Sequence, residues 1–170
     1  MHPDSRPRPF LFVSLMACLI WVGAFGSAFG SQKAPAFTLP DLSGDKVTLE
    51  QFRGNVVILD FWAIWCVPCL KAIPQMIQVQ EKFKDKGLVV LGISLDDPQK
   101  IDDLSLLEFK KRRKINYRIL RGTEQVTEEY FRGIRLEIPT LFIIDRDGMI
   151  VDRHKGFDLG DVEKVLQKVL

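Results

Sequence analysis

Residues 56–61, VVILDF, form an apolar run of strand length that leads straight into WAIWCVPCLKAIP, residues 62–74. A short apolar run rich in β-branched residues predicts a strand buried on both faces. From Pro68 the period changes. Leu70, Ile73, Met76, Ile77 and Phe83 recur at helical spacing as far as Lys86-Gly87, a helix stop. Pro74 lies inside this helix and is expected to kink it. Cys66 and Cys69 therefore sit where a central strand hands the chain to a helix.

The rest of the chain completes an α/β pattern. LVVLGIS, residues 88–94, reads as a second buried strand. Residues 98–114 read as a helix whose basic end, KKRRK at 110–114, is a solvated surface rather than an anionic docking patch. A short strand follows near 117–120 and a short helix at 126–131. TLFIID at 140–145 is a strand, Arg146-Asp147-Gly148 a turn, and MIVDRH at 149–154 its hairpin partner. Asp158 or Asp161 caps a final helix with Val162, Val165, Leu166 and Val169 on one face. Upstream, residues 31–40 read as a linker into an extended edge segment, and LSGDKVTL at 42–49 as a small hairpin turning at Gly44-Asp45. The order predicts a mixed sheet with helices on both faces.

A chain of 170 residues holds one domain and a short appendage. Its net charge of +2 implies no nucleic-acid partner. The appendage is residues 1–30. Arg6 and Arg8 precede residues 10–30, which carry no charge at all. A basic flank before some twenty apolar residues is an export signal, either cleaved or kept as a membrane anchor. Either way the domain at 31–170 is expected outside the cytoplasm, in a periplasm or on the outer face of the cytoplasmic membrane. Cleavage would remove Cys18 and leave that domain with Cys66 and Cys69 alone.

Three readings compete for the cysteine pair. Structural zinc needs four ligands, and the domain offers only Cys66, Cys69 and His154, with no second cysteine pair. A structural staple closing so short a loop would restrict little of the unfolded chain. A redox pair explains the placement. Cys66 at a helix N-terminus meets free backbone N–H groups and the positive end of the dipole, which favour its thiolate. Cys69, one turn on, is placed to attack back. Trp65 shields the site and offers a flat apolar contact.

DFWAIWCVPC at 60–69, EIPT at 137–140 and LFIIDRDGMIV at 141–151 resemble the thioredoxin superfamily. More narrowly, the chain is similar to the exported TlpA/ResA-type thiol–disulfide oxidoreductases across residues 34–170. Residues 34–63 resemble the N-terminal extension these proteins share with peroxiredoxins, and 96–114 their insertion after the second core strand. The resemblance implies a thioredoxin-like three-layer sandwich with an N-terminal hairpin extension. It makes Cys66 the nucleophile, Cys69 the resolving thiol, and Asp60 a buried carboxylate that moves the Cys69 proton. Pro139 is implied to be a cis-proline facing the pair, and Trp65, Pro68 and Ile138 complete the substrate contact. No cofactor is implied beyond the Cys66–Cys69 disulfide. Implied partners are disulfide-containing exported proteins, cytochrome c maturation components among them, and a membrane or thioredoxin-type electron donor.

One position departs from these relatives: the glutamate many carry three residues after the second cysteine is Ala72 here. Between the cysteines, Val67 and Pro68 offer no side-chain donor to a thiolate, which favours a reducing couple. An oxidase or isomerase would share the same site, and a non-catalytic binding module the same fold. A peroxidase would need threonine where Ala63 stands, and heme attachment a histidine where Leu70 stands.

Overall fold

The computed structural model describes residues 32–170; the expected export segment at 10–30 lies outside them. Twelve elements follow in order: β1 (Gln32–Lys33), β2 (Thr38–Pro40), β3 (Lys46–Thr48), β4 (Val56–Trp62), α1 (Val67–Phe83), β5 (Leu88–Ser94), α2 (Asp103–Arg113), β6 (Arg118–Arg121), α3 (Glu124–Tyr130), β7 (Thr140–Ile144), β8 (Met149–Lys155) and α4 (Leu159–Val169). Six strands make one mixed sheet in the order β1-β8-β7-β4-β5-β6. β4, β5 and β6 run parallel, while β7 opposes β4 and β8 opposes β7.

β4 lies inside this sheet, and all seven of its residues are buried. Alternation sends Val56, Ile58 and Trp62 to one face, where they pack with Ile73 and Met76 of α1, Leu106 of α2, and Val162 and Leu166 of α4. Val57, Leu59 and Phe61 face the other way, toward Val126 and Tyr130 of α3 and toward Leu39 and Val47 of the β2–β3 hairpin. Phe61 centres an aromatic cluster there, with ring centroids 5.1 Å from Phe131 and 5.7 Å from Phe142. These are the two outer layers of an α/β sandwich.

Four boundaries differ from the sequence expectation, each for a local reason. Residues 32–40 form the expected extended edge segment but are more than a linker. Gln32 pairs with Ile150 to add β1 at the sheet edge, and Thr38–Pro40 is the first strand of the hairpin, paired with Lys46–Thr48. The hairpin turn is wider than Gly44-Asp45, because the Asp41 carboxylate accepts from Ser43 N–H at 2.8 Å and Asp45 N–H at 3.1 Å. α2 starts at Asp103 rather than Pro98, since Asp102 caps it by accepting from Ser105 N–H at 2.8 Å. α3 starts early, capped by Thr123. Of the two caps expected for α4, Asp158 is the one that serves.

α1 continues through Pro74, which faces solvent. The basic run closes α2, where cations favour the carbonyl end of the helix, and Arg113 stacks 5.5 Å from the Phe109 ring. Among the described residues no helix is long and apolar enough to cross a membrane.

Phe142 also meets Tyr130 and Phe131 edge-on, so Phe142→Ala removes three aromatic contacts at once. It should cost about 3–5 kcal/mol in urea unfolding. A loss under about 1 kcal/mol would show that this layer does not hold the sheet.

Candidate active site

The loop between β4 and α1 is fixed by its own turn and by a clamp from the end of β5. Cys66 N–H donates to Ala63 O at 3.2 Å, closing a tight turn. Ile64 N–H donates to the Asp96 carboxylate at 3.1 Å and 3.2 Å, one distance to each oxygen. Asp96 in turn accepts from the Ser94 hydroxyl at 2.9 Å. Its burial outweighs these hydrogen bonds and lifts its pKa above the usual carboxylate range. Arg121, buried at the end of β6, donates to Ile101 O at 2.7 Å and Asp103 at 2.6 Å. It thereby ties the start of α2 to this corner.

Cys66 is the N-cap of α1, and its Sγ accepts from Cys69 N–H at 3.2 Å. A residue in the Pro68 position needs no backbone N–H, so proline is well suited to this first turn. Cys66 and Cys69 are joined as a disulfide. Both cysteines are buried, but Cys66 is flanked by side chains that are not: Trp65 is 66% exposed and Val67 61%. Across from them, Ile138 O stands 3.7 Å from Cys66 Sγ, and the Ile138–Pro139 peptide bond is cis. Thr140 holds that corner by donating from its hydroxyl to Glu137 O at 2.6 Å, and Gly156 N–H donates to Pro139 O at 2.8 Å.

The structure therefore brings Cys66, between Trp65 and the first turn of α1 that holds Pro68 and Cys69, against Ile138 and its cis-Pro139, some seventy residues away in sequence. Asp60 lies deeper, on the face of β4 that carries Ile58 and Trp62 toward α1. It is 4% exposed, and its Oδ1 finds no protein partner. Burial pushes its carboxyl up to about 7. Ala72 is buried on α1, so no carboxylate reaches the site from that position. The Asp96 clamp and Arg121 were not singled out by motif. Their trace in the sequence is two acids and a proline directly after an apolar strand, SLDDP at 94–98, which marks a loop that must be tied down.

Residues 31–153 match the AhpC/TSA family. The chain belongs to that family. It is 32% identical over 141 residues to the thiol–disulfide oxidoreductase ResA of Bacillus thuringiensis subsp. konkukian, covering 81% of this chain and 77% of the relative. It is 33% identical over 125 residues to the thioredoxin-like protein YneN of Bacillus subtilis, covering 74% and 71%. The solved thioredoxin domain of a thiol–disulfide oxidoreductase from Bacteroides vulgatus superposes with a TM-score of 0.68 at 28% identity, covering 79% of this chain and 96% of that one. The fold is thioredoxin-like, and the chain is a family member of the thiol–disulfide oxidoreductase kind with a paired Cys66 and Cys69.

Asp60 makes stability depend on pH with a definite sign. The folded state keeps its proton up to about 7, whereas the unfolded carboxyl releases it near 3.8. Unfolding therefore becomes easier as pH rises through that window, by about 4 kcal/mol at most. Asp60→Asn should remove this penalty. Denaturant unfolding of the oxidised protein should show the variant more stable than wild type by about 2–4 kcal/mol near pH 8, with the gap closing near pH 4. Parallel pH profiles for the two proteins would mean that Asp60 is not held protonated by burial.

Proposed function

We propose that this protein reduces disulfide bonds in exported proteins through its Cys-Val-Pro-Cys site. The observation that carries the reading is the position of Cys66. It caps the positive end of α1 with a backbone N–H at 3.2 Å from its sulfur, and lies between an exposed Trp65 and Val67 opposite the Ile138 carbonyl. A sulfur so placed is favoured as thiolate once reduced.

The steps balance as follows. The Cys66 thiolate attacks one sulfur of a client disulfide, and the other client sulfur leaves as thiolate and takes a proton from solvent. The Cys69 thiol gives its proton to Asp60 and attacks Cys66 Sγ. The second client sulfur leaves as thiolate and is protonated in turn, and the Cys66–Cys69 disulfide forms. Two electrons have passed to the client, and a dithiol donor, from a membrane protein or a thioredoxin-type protein, restores the pair. Asp60 suits the transfer because its raised pKa approaches that of an ordinary thiol. No cofactor is required.

The surroundings suit a polypeptide substrate. Trp65 is exposed beside Cys66, the Ile138 carbonyl stands 3.7 Å from its sulfur, and Ile138 with the cis-Pro139 offers main chain to an extended segment, with Pro68 in the first turn of α1 as a further contact. A groove of about 590 Å³ also runs between α3, the loop after β5 that clamps Ile64, and residues 134–136, with Leu95, Phe131, Ile134 and Leu136 in its lining. Val67 and Pro68 add no donor to the Cys66 thiolate, which supports the reducing direction. The extracytoplasmic placement rests on the uncharged segment at 10–30. Cytochrome c maturation components are one candidate client class, with Ala72 replacing the acid many such enzymes carry.

The test is trapping. In the full chain, Cys69→Ser should accumulate mixed disulfides between Cys66 and exported proteins, seen as bands that collapse on adding reductant, while the Cys66→Ser/Cys69→Ser double variant should form none. If Cys66 in the single variant still reacts with a thiol reagent yet captures no protein, the assigned roles are wrong.

A further inference from the structure

Among the described residues, three buried side-chain polar atoms find no protein partner: Asp60 Oδ1, Trp62 Nε1 and Tyr117 Oη. All three belong to one place. Asp60 and Trp62 are two residues apart on β4, so their side chains leave the same face of the sheet. Gly92 is the register partner of Asp60 on β5. A Cβ on Gly92 would stand 2.9 Å from Trp62 Nε1 and 3.2 Å from Tyr117 Cε2, the ring carbon next to the one that bears the hydroxyl. The indole N–H and the phenol thus converge over the bare backbone of Gly92, beside the carboxyl. A glycine inside an otherwise apolar strand marks such a close approach.

An orphaned polar atom in a core forfeits its hydration without compensation, and three in one cluster call for one shared partner. A buried water commonly makes about three hydrogen bonds to such groups. The donor inventory fits. An indole N–H only donates, a phenol donates or accepts, and a carboxylate only accepts. Trp62 and Tyr117 can fill the two lone pairs of a water, turning its hydrogens toward Asp60.

We infer that Asp60, Trp62 and Tyr117 hold a buried water over Gly92, and that Tyr117 acts through it as a positioning residue that favours the ionised form of Asp60. The catalytic consequence rests on Asp60 being the acceptor of the Cys69 proton; the water site does not. Tyr117 stands between α2 and β6, so the excursion after β5 supplies part of the proton machinery beneath the cysteines.

The other titratable groups on this side of the sheet are accounted for. Cys66 and Cys69 come from α1. On β8, two strands away, His154 and Asp152 pair with each other at 3.4 Å. On α4, Asp161 pairs with Lys164, and Glu163 with Lys82 of α1. Lys110 of α2 sits near Asp41 and Arg118. Burial alone raises Asp60, with no contribution from any of these charges. Tyr117 does respond to Asp60, whose charge adds to burial in pushing the phenol up.

The experiment is a carboxyl-carbon NMR titration of Asp60 in the oxidised full chain, in wild type, Tyr117→Phe and Trp62→Phe, together with a high-resolution crystal structure. Tyr117→Phe keeps the ring and removes only the hydroxyl. It should raise the Asp60 midpoint by about 0.5 to 1 unit, and Trp62→Phe should shift it the same way. The pH–rate profile of client reduction should move with it. A midpoint unchanged in both variants overturns the inference, as does a crystal structure with dry space between the three atoms. A midpoint that moves while the rate profile stays still supports the water site and removes Asp60 from the proposed proton transfer.

Discussion

The burial of β4 on both faces sets the geometry of everything around it. Val57, Leu59 and Phe61 are committed to the aromatic layer with Phe131 and Phe142, while Val56, Ile58 and Trp62 are committed to the helices opposite. A slip of one residue would exchange the two faces and drive Asp60 into that aromatic cluster. Register is therefore fixed, and with it the point at which the strand ends. The chain leaves β4 at Trp62, is held at Ile64 by Asp96, and arrives at Cys66 as the cap of α1. The cysteine pair is placed by the core, not by its own loop.

Two opposed electrostatic effects act on the two ends of the proposed chemistry. At the surface, the N-terminus of α1 favours negative charge on Cys66, and the Cys69 N–H is aimed at its sulfur. Beneath, burial with no charged partner among the described residues disfavours negative charge on Asp60. The first effect favours the thiolate form of Cys66 once the pair is reduced. The second gives a carboxyl whose proton affinity approaches that of a thiol, the condition for passing a proton in either direction. A lysine or arginine beside Asp60 would destroy that match, and Gly92 leaves no side chain at its register position.

Much of this was legible in the sequence because it depends on local pattern. The apolar run into a cysteine pair, the change to helical period after Pro68, and the strand–turn–strand at residues 140–154 all became β4, α1, β7 and β8. What escaped depends on partners far along the chain. Gln32–Lys33 has no strand signal of its own and becomes β1 only by pairing with Ile150 and Met149. Arg121 looks like a surface charge, yet it is buried because the start of α2 supplies its acceptors. α2 itself begins later than its proline suggests, since Asp102 caps it through the Ser105 N–H. Tyr117 read as the start of a short strand; its closeness to Trp62 appears only when β6 is laid beside β5.

The direction of electron flow is the central claim, and the reduction potential of the Cys66–Cys69 couple tests it most directly. Equilibrating the protein against defined thiol–disulfide buffers and counting free thiols gives the value. A potential at or below about −230 mV is expected for a reductase whose thiolate is stabilised by little more than a helix end and one N–H. A potential above about −150 mV would show a strongly stabilised thiolate, and would make the protein an oxidant of its clients instead.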